Sequence, residues 1–194
     1  MSKKKDIKKI RNTVENCKKC ILYKTRNKAV FGEGCLNSKI MLIGEAPGRN
    51  EDIQGKPFVG KAGKILDDLL DSVDLKRNNV YITNILICRP PKNRNPLKKE
   101  INRCKKYLDL QIDIIKPSII VPMGNFSTSY ILNKFNIKVD KIRNTHGRIY
   151  KINNKLQNIK IIPLYHPAFA IYNKNIKNIL FNDFKSVTKA LDKI

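Results

Sequence analysis

The stretch GEAPGRNEDIQGKPFVG, residues 44–60, holds four glycines, two prolines, three acids and a single aromatic, Phe58, in a chain otherwise crowded with lysine. Glycine lets a backbone approach a ligand closely, an aromatic ring offers a flat face to stack on, and Glu45 and Glu51 are carboxylates that can orient water, although Glu51 or Asp52 could equally cap a helix at the surface. A phosphate-binding reading of this loop fails. GKPFVGKA, residues 55–62, nearly matches the nucleotide-binding pattern, but Ala62 has no hydroxyl for a magnesium ion, and Gly55 lies well beyond the apolar run KIMLI instead of directly after it. The plainer alternative makes the glycines turn formers and Phe58 a core residue beneath a long loop.

Cysteine is the second source of chemistry. Cys17 and Cys20 form a C-x-x-C pair, while Cys88 and Cys104 follow on two other segments. A structural zinc site more often uses two close pairs; an iron-sulfur cube also takes four thiolates and reaches ligands spread around it. Spacing alone leaves cluster, zinc and unrelated buried thiols open. Without a secretion signal, metal-binding or buried thiols are favoured over disulfides. Cys35 sits in a glycine-containing segment with no neighbour in sequence to pair with, and is left unassigned.

These residues need elements to position them. KKKDIKKIRNTVENC places Ile7, Ile10 and Val14 on one helical face leading into Cys17, and KIMLIG reads as a buried strand. KAGKILDDLLDSV has helical spacing, and NVYITNILI, from residue 79, is rich in β-branched residues and reads as a second strand. After the proline-broken CRPPKNRNP, Asn95 can cap and Pro96 can open a helix to about Ile115. SIIVPMG is a third strand, followed by a helix that Asn125 can cap. An irregular polar stretch over 141–157 suits a hairpin; IKIIPLY is the fourth strand, and a closing helix spans about 175–192.

Apolar strands alternating with amphipathic helices predict a mostly parallel sheet covered on both faces, in a single domain over residues 1–194. Such sheets bind ligands outside the carboxyl ends of their strands. That rule gathers Glu45, Asn84, Gly124 with Asn125, and His166 along one rim.

Lys and Arg total 40 against 16 Asp and Glu, for a formal charge of +24. This favours a polyanionic partner through counterion release, nucleic acid first, although a general drift toward Lys, Asn and Ile would give the same balance. No apolar run approaches the roughly 18 to 20 residues of a membrane span. The expectation is a soluble, intracellular monomer with no membrane partner.

Taken together, VFGEG, GEAPGRNEDIQGKPFVGKAG, YITNILICRPPKNRNP, the C-x-x-C pair and YHPA closely resemble the family 4 uracil-DNA glycosylases, in matching order and spacing. The resemblance implies a three-layer α/β/α fold around a four-stranded parallel sheet, and a 4Fe-4S cluster held by Cys17, Cys20, Cys88 and Cys104. It also implies excision of uracil from single- or double-stranded DNA. On that reading Gly44, Pro47 and Gly48 let the main chain approach a flipped base, with Ala46 beside them, and Phe58 stacks on its ring. Asn84 matches the base-reading asparagine: its amide donates to uracil O4 and accepts from N3-H, whereas cytosine presents the opposite groups. His166 stands where a donor to O2 is needed.

Ala46 occupies the position where the best-known uracil glycosylases have an aspartate, so Glu45, with Glu51 second, is the candidate for orienting water. Glu51 also matches a family position implicated in excluding thymine. Arg89, Lys92 and Arg94, together with Phe169 and Ile171 after His166, are candidates to contact DNA or wedge into the gap left by the base. Phe169, Tyr172 and Asn144 depart from the residues most frequent in the family. His146 matches no family site and reads as structural or surface. The rival is a non-catalytic nucleic-acid-binding module with a four-cysteine metal site.

Overall fold

The apolar run after Ser38 becomes the middle of a sheet because both of its faces are covered by helices. In the computed structural model, which describes residues 2–154 and 157–191, the strands are β1 (Glu33–Gly34), β2 (Ile40–Gly44), β3 (Tyr81–Asn84), β4 (Ile119–Pro122), β5 (Tyr150–Asn154) and β6 (Gln157–Ile161). The helices are α1 (Lys3–Glu15), α2 (Arg49–Gln54), α3 (Lys61–Asp71), α4 (Lys98–Ile115), α5 (Asn125–Lys134), α6 (Ile142–Thr145), α7 (Pro167–Ala170) and α8 (Lys174–Leu191). Strand order is β1-β3-β2-β4-β6-β5. The four inner strands run parallel, while β1 and β5 pair antiparallel at the edges. The α/β class holds, but the expected four-stranded sheet is the centre of a mixed six-stranded one.

Alternation along β2 divides the core. Met41 and Ile43 pack with Leu108 and Ile112 of α4 and Ile131 and Leu132 of α5; Ile40 and Leu42 pack with Leu66 and Leu69 of α3 and Leu180 and Phe184 of α8. Among the described residues no helix is long and apolar enough to cross a membrane.

Several boundaries differ from the sequence expectation for local reasons. β3 ends at Asn84, and Ile85, Leu86 and Ile87 leave the sheet to stay buried among α1, α4 and the cysteines. Burial, which apolar residues report, is not the same as strand. The start of α4 falls at Lys98 rather than Pro96, because Glu100 reaches back to the Leu97 N–H and caps the helix from within. Asn125 is the first residue of α5 instead of its cap, and its Oδ1 accepts from the Ile142 N–H. The hairpin is present as β5 and β6, and parallel pairing continues past β6 to a Met123–Leu164 bridge. GKPFVGKA runs from the end of α2 into α3, with no strand before it, which removes the phosphate-loop geometry.

Candidate active site

Parallel register sets Gly44 beside Asn84 at the carboxyl ends of β2 and β3, and the Phe58 ring packs over them. A Cβ at Gly44 would lie 2.3 Å from Asn84 Oδ1 and 2.6 Å from the Phe58 ring, so only glycine lets the two side chains close over the strand end.

Phe58 itself has φ 53°, a left-handed conformation that a bulky residue adopts only when its surroundings enforce it. Two charged groups do so. Glu51 Oε1 accepts from the N–H groups of Val59 at 2.9 Å and Gly60 at 2.8 Å. From the opposite side Arg77 donates to the carbonyls of Pro57 at 3.3 Å and Phe58, while its Nε holds Asp67 at 2.6 Å. Glu51 is therefore engaged in shaping the turn. Arg77 belongs to none of the motifs, and nothing in the sequence singled it out.

His166 precedes Pro167 as the N-cap of α7, and its Nδ1 accepts from the Ala168 N–H at 3.1 Å. An Nδ1 that accepts leaves the proton of a neutral imidazole on Nε2. Burial lowers the His166 pKa to about 4, so the ring is neutral at physiological pH. Its ring centroid lies 5.8 Å from that of Phe58 with 24° between the planes. Glu45, the first residue beyond β2, turns its carboxylate to the start of α5 and accepts from the Phe126 N–H at 3.2 Å. Burial raises its pKa, against the lowering effect of the Phe126 and Asn125 N–H groups. Gly124, with φ 97°, separates it from His166; a Cβ there would come 2.4 Å from Glu45 Oε1 and 3.2 Å from His166 Cβ.

Glu45, Glu51, Phe58, Asn84 and His166 all line one cleft of about 320 Å³, and Ala46, Pro47 and Gly48 form part of its wall. That is the size of a small-ligand site. Asn84 is only 3% exposed, yet its side chain makes no hydrogen bond to any described residue, so its amide is left to a ligand entering the cleft. Among the described residues no lysine lines the cleft.

At the rim the sequence candidates separate. Phe169 is 58% exposed and lines the cleft, whereas Ile171 is half-buried and lines a neighbouring groove. Arg94 places its fork on the fully buried carboxylate of Glu100, at 2.9 and 2.6 Å, and so organises the loop before α4. Lys92 is exposed, and Arg89 holds Asn93 Oδ1 at 2.7 Å. His146 is held by Asp183 at 2.7 Å and packs on Tyr165, outside the cleft.

Cys17, Cys20, Cys88 and Cys104 meet around a second, apolar space walled by Leu22, Leu86, Ile87 and Tyr107. Burial raises the thiol pKa of Cys20 and Cys88 and pushes that of Cys104 up to about 12, so these groups stay protonated until a cation displaces their protons. Two donors already point at sulfur: Arg26 Nη1 at 3.1 Å from Cys88 Sγ and the Tyr107 hydroxyl at 3.2 Å from Cys17 Sγ. Among the described residues no group of three or more His, Cys, Asp or Glu is arranged to hold a single metal ion. Four thiols drawn from three segments into one apolar space are the donor set of a thiolate-held metal centre. Cys35 lies apart, in a cavity on the far side of Phe58.

Comparison with known proteins agrees with this geometry. Residues 31–192 match the family described as the Uracil DNA glycosylase superfamily. The chain is 48% identical to a type-4 uracil-DNA glycosylase of Saccharolobus solfataricus over 94% of its own length and 85% of the relative's. It is 41% identical to one from Archaeoglobus fulgidus over 90% and 87%, and 35% identical to one from Thermotoga maritima over 93% and 92%. With the family model matched over most of its length and relatives this similar across nearly their whole chains, the chain belongs to the uracil-DNA glycosylase superfamily.

Proposed function

We propose that the protein hydrolyses the bond between uracil and deoxyribose in DNA, releasing free uracil and leaving an abasic site. One observation carries the reading: Phe58, Asn84 and His166 line a single cleft at the carboxyl edge of the sheet. An enzyme that works on a base must take it out of the stack, and the extruded base needs a ring against its face and polar groups on its edge. The names of the relatives, type-4 uracil-DNA glycosylases, support the same substrate.

Phe58 stacks on uracil. Asn84 donates to O4 and accepts from N3-H; cytosine would leave both bonds mismatched, a loss of several kcal/mol at about 1 to 3 kcal/mol per unsatisfied group. As the glycosidic bond breaks, charge collects on uracil O2, where the Nε2–H of neutral His166 is the donor. A preorganised donor of this kind contributes about 3 to 4 kcal/mol. A neutral ring stabilises the departing anion without adding positive charge beside the sugar cation. Glu45, accepting N–H groups from α5, retains lone pairs to orient the attacking water. Glu51, fixed by Val59 and Gly60, walls the cleft and limits space beside C5 of the base.

Arg89 and Lys92 meet phosphates, and Phe169 wedges into the gap left by the base. Cys17, Cys20, Cys88 and Cys104 hold a 4Fe-4S cluster, which fastens the segment after α1 to β3 and α4 and takes no part in hydrolysis. That the described lining of the cleft includes no lysine fits direct hydrolysis rather than a Schiff-base route.

The test is incubation with uracil-containing single and double strands in EDTA, followed by alkali to reveal abasic sites. Strand scission at uracil is the expected result. Tight binding without scission would leave only a nucleic-acid-binding module with a four-cysteine metal site.

A further inference from the structure

Beside the cleft runs a groove of about 510 Å³ between α3 and the connection from α7 to α8. Two elements are shared between them. On α3, Ala62 lines the cleft and Lys61, Lys64 and Ile65 line the groove; at α7, Phe169 lines the cleft and Ile171 lines the groove. The groove therefore begins where the cleft ends, just beyond the exposed Phe169.

Its lining is cationic with one aromatic. Lys61, Lys64, Lys174 and Lys177 all border it, and Lys177 lies 4.0 Å from Asp68. Among the described residues Lys61, Lys64 and Lys174 form no ion pair. Like charges gathered along a depression repel one another unless an anion lies among them. Tyr172, in the same groove, is 85% exposed and makes no hydrogen bond or ring contact with any described residue. So large an aromatic, left in water at the edge of a site, is a surface awaiting a partner.

A lysine-bordered channel with an open ring is the arrangement that binds single-stranded nucleic acid, phosphates on the ammonium groups and a base on the ring. A protein partner is less suited, since burying three unpaired ammonium groups costs free energy that an ordinary interface does not return. We propose that this groove carries the unpaired flank of the substrate strand, with a base near the extruded uracil stacked on Tyr172 and its phosphates on Lys61, Lys64 and Lys174. The proposal rests on the uracil-excision reading and deepens it: a base already sandwiched in a duplex has no free face for Tyr172, so the groove favours single-stranded DNA.

The experiment uses the full chain with Tyr172→Ala, Tyr172→Phe and a Lys61→Gln, Lys64→Gln, Lys174→Gln triple variant. Affinity and excision are measured on uracil-containing single strands that extend well past the uracil on both sides, on strands cut short on either side in turn, and on the matching duplex. On the long strand Tyr172→Ala raises Kd about tenfold or more, the scale of one lost base stack, and Tyr172→Phe restores it. The loss is smaller on duplex, and disappears on the strand lacking the flank that fills the groove. The triple variant lowers the slope of log Kd against log salt by about 2, at roughly 0.7 per phosphate contact on single strands. An unchanged Kd for Tyr172→Ala, or an equal loss on duplex and on both shortened strands, overturns the proposal. A wild type that binds long strands through Tyr172 but releases no uracil overturns the excision reading instead, and leaves the groove standing.

Discussion

The ring of Phe58 lies 5.8 Å, centroid to centroid, from the imidazole of His166, although one comes from the turn between α2 and α3 and the other from the cap of α7. The two are near-parallel, 24° apart, and the imidazole's orientation is set by the Ala168 N–H that its Nδ1 accepts. The arrangement depends on a strained Phe58 backbone held by Glu51 and Arg77.

Arg77 is the first test of that support. Arg77→Ala releases the carbonyls of Pro57 and Phe58, and hydrogen bonds from a charged donor contribute about 1.5 to 3 kcal/mol. The expected outcome is a fall in kcat/KM of about tenfold or more with a lower Tm, partly restored by Arg77→Lys. Steady-state excision assays and thermal unfolding measure both.

His166→Leu removes the neutral donor proposed for O2, since leucine has no N–H to offer. Loss of one such donor lowers kcat by about 100- to 1,000-fold with little change in KM. The wild-type pH profile carries a sign as well. With a pKa near 4 in the fold, against the ordinary value near 6.5, His166 does not titrate across the neutral range, so no limb of the rate profile falls at 6.5. The unfolded chain takes up this proton first, so the stability this group contributes is complete above about 6.5 and is lost as pH drops toward 4. Urea unfolding at successive pH values shows the slope, and the His166→Leu variant lacks that component.

Glu45→Gln separates activity from stability. Burial raises the Glu45 pKa, so its ionised form is disfavoured by the fold, and the penalty grows as pH rises beyond the ordinary carboxylate range. The variant is expected to lose activity by about 100-fold or more and its acid limb in the rate profile, while gaining Tm at pH 7. Rate profiles and calorimetry on the same samples decide it.

Asn84→Asp replaces the amide donor with a second acceptor. Uracil O4 then faces a carboxylate, while a cytosine amino group finds a partner, so selectivity for uracil over cytosine falls by about tenfold or more. Matched uracil and cytosine substrates measure the ratio, and unchanged selectivity would remove Asn84 from the base-reading role.

The cysteine centre is tested by colour and content. Purified without oxygen, the protein is expected to be brown, with iron and labile sulfide in equal amounts. Cys88→Ser or Cys104→Ser loses both and unfolds readily, since the buried thiols that join β3 and α4 to the segment after α1 are then uncompensated. A colourless, folded, zinc-loaded protein would reverse the assignment.

Much of this molecule was legible in its sequence, because the chemistry-bearing residues fall just beyond apolar runs. KIMLIG, NVYITNILI and SIIVPMG read as buried strands, the second of them too long by the three residues after Asn84, and the carboxyl-end rule then gathered Glu45, Asn84 and His166 without coordinates. The alternating burial of Met41 and Leu42 on opposite faces likewise follows from strand period alone. What the sequence did not contain was the set of contacts made by residues of ordinary type at ordinary positions. Arg77, in a short turn before β3, and Arg94, in the proline-broken loop, look like any of the chain's many cations; whether each meets a carbonyl, a buried carboxylate or a phosphate is decided by which groups the fold brings within 3 Å or so. The tautomer of His166, the left-handed backbone of Phe58 and the open face of Tyr172 are of the same kind. Periodicity reports which side of an element is buried; hydrogen-bond partners across elements arise only once the sheet and its helices have closed.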